Sequence, residues 1–154
     1  FDAVSCLFNS FGYVTGDDDE PDHLSILKES ARVLKPGGGM FIEVPNRIPV
    51  ILMTEETPQT LQAGEGFLIH EFWDYDRERD VLYNKSVFMM EGEQDSAGYQ
   101  LRLYSLDEIS DLLNKAGFSV KEVSGDYDGQ DYSDEESPKM LITARVDTKR
   151  GDPL

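Results

Sequence analysis

The sequence predicts an α/β fold in which a short parallel sheet carries an antiparallel insertion. Two apolar runs, residues 3–8 and 40–44, are typical of buried strands, and a helical pattern lies between them. A strand, a helix and a second strand in this order indicate a βαβ unit with parallel strands. Aromatic and β-branched runs at residues 67–75 and 81–90 flank the polar residues 76–80, which predicts a β-hairpin.

The helix between the first two strands is indicated by apolar residues at helical spacing: Leu24, Leu27, Ala31 and Leu34. Acidic residues at 17–20 and Pro21 precede this pattern and are typical of a helix N-terminus. Residues 37–39, all glycine, end the helix before the second strand. His23, near the helix start, is expected to be a surface residue.

The segments around the hairpin are predicted from turn and capping signals. Residues 48–66 predict a short helix near residues 50–56 followed by a loop. Residues 99–104 are a candidate third antiparallel strand. A capping box at residues 105–108 begins an amphipathic helix that ends at Gly117.

Two further strands, residues 118–123 and 139–146, complete the predicted fold. The chain has 154 residues, which fits one domain, here residues 1–146. Residues 67–104 form the predicted antiparallel insertion, a candidate lid over a substrate. Residues 147–154 are expected to fray.

The composition excludes several classes of function. Asp and Glu number 31 against 14 Lys and Arg, and the net charge of −17 repels nucleic acid and anionic membrane surfaces. No apolar run reaches the roughly 20 residues that span a bilayer, so the sequence predicts a cytoplasmic protein without a membrane partner. The single Cys6 excludes an internal disulfide and a cysteine-based zinc cluster. Residues 126–136 are acidic but lack the ligand spacing of a calcium loop, so no metal is expected.

One phrase of the sequence points to a known family. Residues 31–38 read Ala-Arg-Val-Leu-Lys-Pro-Gly-Gly and join the first helix to the second strand. This phrase, together with residues 1–4, 102–105, 116–118 and 125–129, resembles the carboxyl-terminal portion of class I S-adenosylmethionine-dependent methyltransferases. The resemblance implies a partial Rossmann-like, doubly wound sheet, the second half of that fold, with an inserted β-hairpin.

The resemblance also implies a function. Members of this family transfer a methyl group from S-adenosylmethionine, which implies a small-molecule substrate here. The family's glycine-rich cofactor turn, and the acidic residue that closes its second strand, would precede Phe1. Residues 37–39 follow a helix and enter a strand, so they are a helix stop and not a cofactor turn. We therefore expect this chain alone to bind the cofactor weakly or not at all.

Candidate site residues follow from the strand ends, because ligands of open α/β sheets lie beyond the carboxyl ends of the parallel strands. Cofactor contacts are predicted from Leu7, Phe8, Asn9 and Ser10. Catalytic roles are predicted for Tyr13 and for His70, since a positioned histidine can remove a proton from the acceptor. Acceptor contacts are predicted from Phe11, Asn46, Arg47, Trp73, Arg102 and Tyr104.

Each of these predictions has a plainer alternative. The aromatic residues of the turn can belong to the core, and His70 can be an ordinary strand histidine. Arg102 can pair with a carboxylate of this acidic chain. The hairpin with Trp73 can form a lid over a largely apolar or planar acceptor, or it can be a packing face only.

The partners of the chain are the last expectation. In the family the first strand pairs with a strand that this sequence lacks. The sequence therefore predicts a two-fold dimer, through that strand or through the hairpin, or pairing with an amino-terminal half. The alternative to an enzyme is a non-catalytic acidic interaction module that keeps half of the fold.

Overall fold

The computed structural model describes residues 1–13 and 20–147 and arranges their strands in two four-stranded sheets. In chain order the elements are β1 (Ala3–Cys6), α1 (Glu20–Val33), β2 (Gly39–Pro45), α2 (Arg47–Thr54), β3 (Gln59–Gly64), β4 (Phe67–Asp76), β5 (Val81–Met90), β6 (Glu93–Arg102), α3 (Leu106–Lys115), β7 (Phe118–Ser124) and β8 (Lys139–Val146). Within these residues, no helix has the length and hydropathy that a membrane crossing requires.

The first sheet has the strand order β1-β2-β8-β7 and contains the predicted βαβ unit. β1 runs parallel to β2, with Ala3 opposite Gly39 and Cys6 opposite Ile42. β8 is antiparallel to both of its neighbours, β2 and β7. β1 is an outer strand, and its second edge pairs with no strand of the described residues.

Helices α1 and α3 pack against the same face of this sheet and bury the main hydrophobic core. Side chains with no exposed surface in this core include Leu27, Ile42, Ile109, Phe118 and Ile142. Burial of each such side chain contributes about 1.5–3 kcal/mol. The opposite face lines an open cavity whose wall includes Ala3, Ser5, Phe41 and Thr143. The described helices therefore cover only one side of the first sheet.

The start of α3 has the predicted capping box. Ser105 Oγ accepts a hydrogen bond from the Glu108 N–H at 3.3 Å, and the Glu108 carboxylate accepts one from the Ser105 N–H at 2.7 Å. Gly117 follows the helix with a φ of 90°, as the prediction of a helix-ending glycine requires. Of the predicted tail, Asp147 donates its N–H to the Gly117 carbonyl at 2.9 Å, and residues 148–154 lie outside the described residues.

The second sheet, with the order β3-β4-β5-β6, is larger than the predicted insertion. β4 and β5 form the expected hairpin, whereas β6 begins at Glu93, well before residue 99. The loop predicted after the short helix is wrong over Gln59–Gly64, which pairs with β4 as strand β3. The side chains of β3 are mostly exposed, so this strand lacks the apolar alternation that identifies a strand in sequence.

The expected surface position of His23 is also wrong. Its side chain is 1% exposed and contacts the rings of Phe11 and Tyr104. Its Nε2 donates a hydrogen bond to the Tyr13 carbonyl at 3.0 Å, and its Nδ1 lies 2.5 Å from the Tyr104 hydroxyl. His23 is buried, although the first three residues of α1 are exposed, because Phe11 and Tyr104, from two distant parts of the chain, pack against its ring.

The unpaired edge of β1 leads to a prediction about self-association. Ser5 is exposed on this strand, and a lysine on an edge strand opposes pairing between copies. We expect the unchanged chain to form dimers and Ser5→Lys to shift it towards monomers, as measured by light scattering after size-exclusion chromatography. Ser25→Lys, on the exposed side of α1, adds the same charge away from the edge and should leave the dimer intact. A monomeric unchanged chain at high concentration would contradict the prediction.

Candidate functional site

The segment after β1 forms a tight turn at the carboxyl end of the parallel strands. Phe8 and Asn9 have left-handed backbone conformations, with φ of 57° and 55°, so β1 ends at Cys6 and not at residue 8. Ser10 closes the turn, because its hydroxyl donates a hydrogen bond to the Leu7 carbonyl at 2.7 Å. The predicted cofactor residues therefore lie together in one turn.

Two side chains of this turn have groups that a ligand would complement: an exposed aromatic ring and a buried hydrogen-bond acceptor. Phe8 is 84% exposed, which leaves its ring accessible. The Oδ1 atom of Asn9 is buried and has no hydrogen-bond partner among the described residues. A buried acceptor without a donor costs about 1–3 kcal/mol, which a ligand that supplies the donor would recover.

Glu43 fixes this turn from the neighbouring strand β2. Its side chain is 2% exposed, and its carboxylate accepts hydrogen bonds from the Phe8 N–H at 2.9 Å, the Tyr127 hydroxyl at 2.6 Å and Lys139 Nζ at 2.7 Å. Burial by itself raises the pKa of Glu43, but the hydrogen bonds from Lys139, Tyr127 and Phe8 outweigh burial and hold the pKa below its ordinary value. Glu43 is therefore ionised at neutral pH and anchors the backbone of the turn.

Phe11 and Tyr104, two predicted acceptor contacts, lie in the core. They are 1% and 5% exposed, and their ring centroids are 5.9 Å apart. These positions favour the packing alternative over direct contact with an acceptor.

Residues 12 and 13 connect the turn to the second sheet. The Gly12 carbonyl accepts a hydrogen bond from the Arg102 N–H at 2.7 Å, and Tyr13 forms an antiparallel bridge with Leu101. Gly12 has a φ of 102°, and a Cβ at this position would lie 2.9 Å from the Arg102 carbonyl oxygen. Only glycine permits this backbone conformation and this close approach.

One face of the second sheet collects aromatic and polar side chains. Successive side chains of a strand point to opposite faces, so the pairing register assigns each residue to a face. Trp73, Asn84 and Tyr99 are paired in one row across β4, β5 and β6, and Glu71 and Ser86 are paired on the same face in a neighbouring row. These five residues are termed the Trp73 face.

Tyr13 contacts the Trp73 face through Tyr99. The two rings meet edge to face with centroids 5.6 Å apart, and both side chains remain partly exposed. Burial and the electrostatic influence of Tyr13 and Glu71 raise the pKa of Tyr99, while a hydrogen bond with Trp73 lowers it. Tyr99 therefore keeps its hydroxyl proton at neutral pH.

The polar centre of the Trp73 face has one hydroxyl proton for two acceptors. The Ser86 hydroxyl lies 3.2 Å from Glu71 Oε1 and 3.1 Å from Asn84 Oδ1. Asn84 is 7% exposed, and its Nδ2 has no hydrogen-bond partner among the described residues. This face thus presents a carboxylate and a buried amide donor that the protein does not fully satisfy.

His70 lies on the opposite face of the second sheet. It is an odd number of positions from Trp73 along a regularly paired strand, so the two side chains point in opposite directions. Its Nδ1 is 2.8 Å from Thr60 Oγ1 on β3. The structure therefore does not bring His70 together with Tyr13, although both were predicted to act in one site.

Arg47 and Arg102 are paired with carboxylates. Arg47 Nη1 lies 3.2 Å from both Asp80 and Glu108, and Arg102 Nη2 lies 3.9 Å from Asp80 and 3.6 Å from Glu108. These four residues form an ion cluster between α2, the β4–β5 connection, the end of β6 and α3. The cluster favours a structural role for both arginines.

Asn46 is 2% exposed and holds the loop between β7 and β8. Its Nδ2 donates to the carbonyls of Ser133, Asp134 and Ser137 at 3.1, 2.9 and 2.7 Å. Its Oδ1 accepts a hydrogen bond from the Tyr132 hydroxyl at 3.1 Å. Because the protein satisfies both ends of the amide, this geometry favours a structural role over acceptor binding.

These positions show which residues fit S-adenosylmethionine. Its amino-acid end carries an ammonium group, which suits the unpartnered Asn9 Oδ1, and its sulfonium is a cation that an aromatic ring such as Phe8 attracts. Residues 37–39 lie immediately before β2 or at its start, as the prediction of a helix stop requires. The turn after β1 thus fits one side of a cofactor site.

Four residues of the Trp73 face were not predicted from the sequence as site residues: Glu71, Asn84, Ser86 and Tyr99. The available signal was the presence of polar residues within aromatic and β-branched strands. That signal does not tell which face of the sheet the residues share. The pairing register and the contact with Tyr13 decide this.

Solved structures share this fold. The CcbJ methyltransferase from Streptomyces caelestis has a TM-score of 0.82 at 19% identity, over 96% of this chain and 57% of that chain. An S-adenosylmethionine-dependent methyltransferase from Clostridium acetobutylicum has a TM-score of 0.82 at 12% identity, over 96% of this chain and 58% of that chain. The sugar N-methyltransferase KedS8 from Streptoalloteichus has a TM-score of 0.66 at 20% identity, over 96% and 56%. The sequence matches no protein-family model and no curated protein.

The chain has a partial methyltransferase fold. It spans less than two thirds of the length of these similar structures, which agrees with the predicted carboxyl-terminal portion. The prediction of a partial Rossmann-like sheet with an antiparallel insertion is confirmed.

Glu43 leads to a prediction about stability. Glu43→Gln replaces one carboxylate oxygen by an NH₂ group, which is a donor and cannot accept from the donors around it. We expect the free energy of unfolding to fall by about 1–3 kcal/mol, as measured by urea denaturation. Glu29→Gln removes an exposed carboxylate that pairs with Arg32 on α1, and it should cost less than about 1 kcal/mol. Equal losses in the two variants would contradict the anchoring role of Glu43.

The lowered pKa of Glu43 predicts a pH dependence as well. Because the folded-state pKa lies below the ordinary value of 4.5, the contribution of the carboxylate to stability is fully present above that value. It is lost as the pH falls through the folded-state pKa. The difference in unfolding free energy between the unchanged chain and Glu43→Gln should therefore shrink on acidification below the ordinary pKa. A difference that stays constant throughout acidification would argue against an ionised Glu43.

Proposed function

We propose that this chain forms the acceptor-binding part of an enzyme that transfers a methyl group from S-adenosylmethionine to a small polar molecule. One observation carries the proposal: residues 12 and 13 join the turn after β1 directly to β6 and to the Trp73 face. The likeness to methyltransferase structures supports it, and one of these is a sugar N-methyltransferase.

The connection brings a cofactor turn and an aromatic wall close together. Four backbone steps separate Asn9 from Tyr13, so their Cα atoms lie within about 15 Å of each other. The Tyr13 ring contacts Tyr99, whose hydroxyl in turn bonds with Trp73. A small molecule on the Trp73 face would therefore be next to a cofactor held at the turn.

The chemistry requires alignment and the exclusion of water. S-adenosylmethionine, when bound, supplies a methyl group on a positively charged sulfur. A lone pair of the acceptor forms the bond to the methyl carbon while the carbon–sulfur bond breaks and leaves its electron pair on sulfur. The acceptor's proton passes to a carboxylate or to water. The aromatic side chains of Tyr13, Trp73 and Tyr99 would align the acceptor and keep bulk water away.

The proposal predicts weak binding of the cofactor to this chain. The described residues provide one side of its site, so titration of S-adenosylmethionine into the 154-residue chain should give weak binding or no measurable heat. Asn9→Ala should weaken any binding that is detected, because it removes the buried acceptor. A micromolar dissociation constant for the unchanged chain would show that no further cofactor loop is needed.

The proposal also predicts that loss of the Tyr13 ring slows turnover of the acceptor. In the protein expressed from its complete reading frame, Tyr13→Ala should lower kcat/KM for the acceptor about fivefold, because an aromatic wall contact is worth on the order of 1 kcal/mol. The KM for S-adenosylmethionine should stay within about twofold, since Tyr13 faces the acceptor side. Phe72→Ala removes an exposed aromatic ring from the opposite face of the same sheet and serves as the control. If both variants keep full turnover, the acceptor does not bind at this wall.

A further inference from the structure

We propose that the Trp73 face binds an amine that carries neighbouring hydroxyl groups, with Glu71 holding the amino group and Asn84 donating to a hydroxyl oxygen. This inference rests on the proposed function, because it names the class of acceptor that the same site would take. It differs from the largely apolar or planar acceptor that the sequence predicts.

The strongest observation is the unpartnered amide of Asn84. The residue is 7% exposed, lies in register between Trp73 and Tyr99, and directs its Oδ1 to the Ser86 hydroxyl. Its Nδ2 is left without an acceptor among the described residues. A ligand oxygen would satisfy this donor, and an entirely apolar ligand would leave it unpaired.

Glu71 supplies the negative charge of the site. Among the described residues its carboxylate accepts one side-chain hydrogen bond, from the Ser86 hydroxyl, and that hydroxyl has a single proton to share with Asn84. An ammonium group, with several donors and a positive charge, is the small-molecule group that best complements such a carboxylate. The net charge of −17 adds a long-range attraction for cations.

The aromatic rings beside Glu71 and Asn84 also favour an amine on a saturated ring. Trp73, Tyr99 and Tyr13 border the polar centre, and their faces attract both a cation and the C–H groups of a saturated ring. A neutral polyol leaves Glu71 without a cation, and a simple alkylamine leaves Asn84 without an oxygen. An amine with adjacent hydroxyls satisfies both polar groups and the aromatic border.

The test uses the fluorescence of Trp73, which is the single tryptophan of the chain. The probes are glucosamine, which has an amine and hydroxyls, glucose, which has hydroxyls only, and cyclohexylamine, which has an amine only. We expect glucosamine to change the emission saturably, with a dissociation constant at least about tenfold lower than those of the other two probes. Equal binding of all three probes, or no saturable change with glucosamine, would overturn the inference.

A matched pair of variants distinguishes a direct contact with Glu71 from attraction by the net negative charge of the chain. Glu71→Gln should weaken glucosamine binding about tenfold or more and leave glucose binding within about twofold. Asp74→Asn makes the same change in charge on the same strand, but on the opposite face, and should have no effect on either probe. Equal weakening in the two variants would mean that only net charge attracts the amine.

A measurement on the unchanged chain keeps the test independent of variant stability. In ¹H–¹⁵N spectra, glucosamine should shift the side-chain NH₂ signals of Asn84 and leave the side-chain NH₂ signals of Gln100, which lies on the other face, nearly unmoved. Unmoved Asn84 signals at saturating glucosamine would overturn the assigned donor. Binding without any methyl transfer in the complete protein would refute the proposed function and leave this inference intact, because no binding readout uses S-adenosylmethionine.

Discussion

The hydrogen bond from the Arg102 N–H to the Gly12 carbonyl is the contact on which the candidate site depends. With the adjoining bridge between Tyr13 and Leu101, it joins two sheets that have separate hydrophobic clusters. The approach is so close that a side chain at position 12 would collide with backbone. Glycine at this position therefore determines that the Tyr13 ring reaches Tyr99, and that the turn after β1 adjoins the second sheet.

Charged groups stabilise this junction on both sides. On the first sheet, the buried Glu43 carboxylate binds the Phe8 N–H and so holds the left-handed turn in place. On the second, Asp80 and Glu108 bind both Arg47 and Arg102, and Arg102 is the residue whose backbone pairs with Gly12. Carboxylates that are partly buried need several donors, and groups with several donors have little freedom to move. These ion pairs and hydrogen bonds thus fix the position of the turn after β1 relative to the second sheet.

Much of the fold was predictable because its signals are local. The βαβ unit follows from apolar periodicity and the glycine cluster, and α3 follows from a capping box whose two hydrogen bonds involve Ser105 and Glu108 alone. β3 was not predicted because its side chains are mostly exposed and show no apolar pattern. This strand forms because it pairs with β4. His23 was misplaced because its burial results from Phe11 and Tyr104, which lie on other elements.

The sequence by itself determined the fold class, the strand-end position of residues 7–10 and the aromatic character of the hairpin. Only the tertiary structure decided which side chains share a face. It set His70 apart from Trp73, assigned Asn46 and both arginines to internal contacts, and brought Asn84 beside Tyr99. The physical reason is that periodicity and capping act within one element, whereas a site depends on strand register and on packing between residues far apart in sequence.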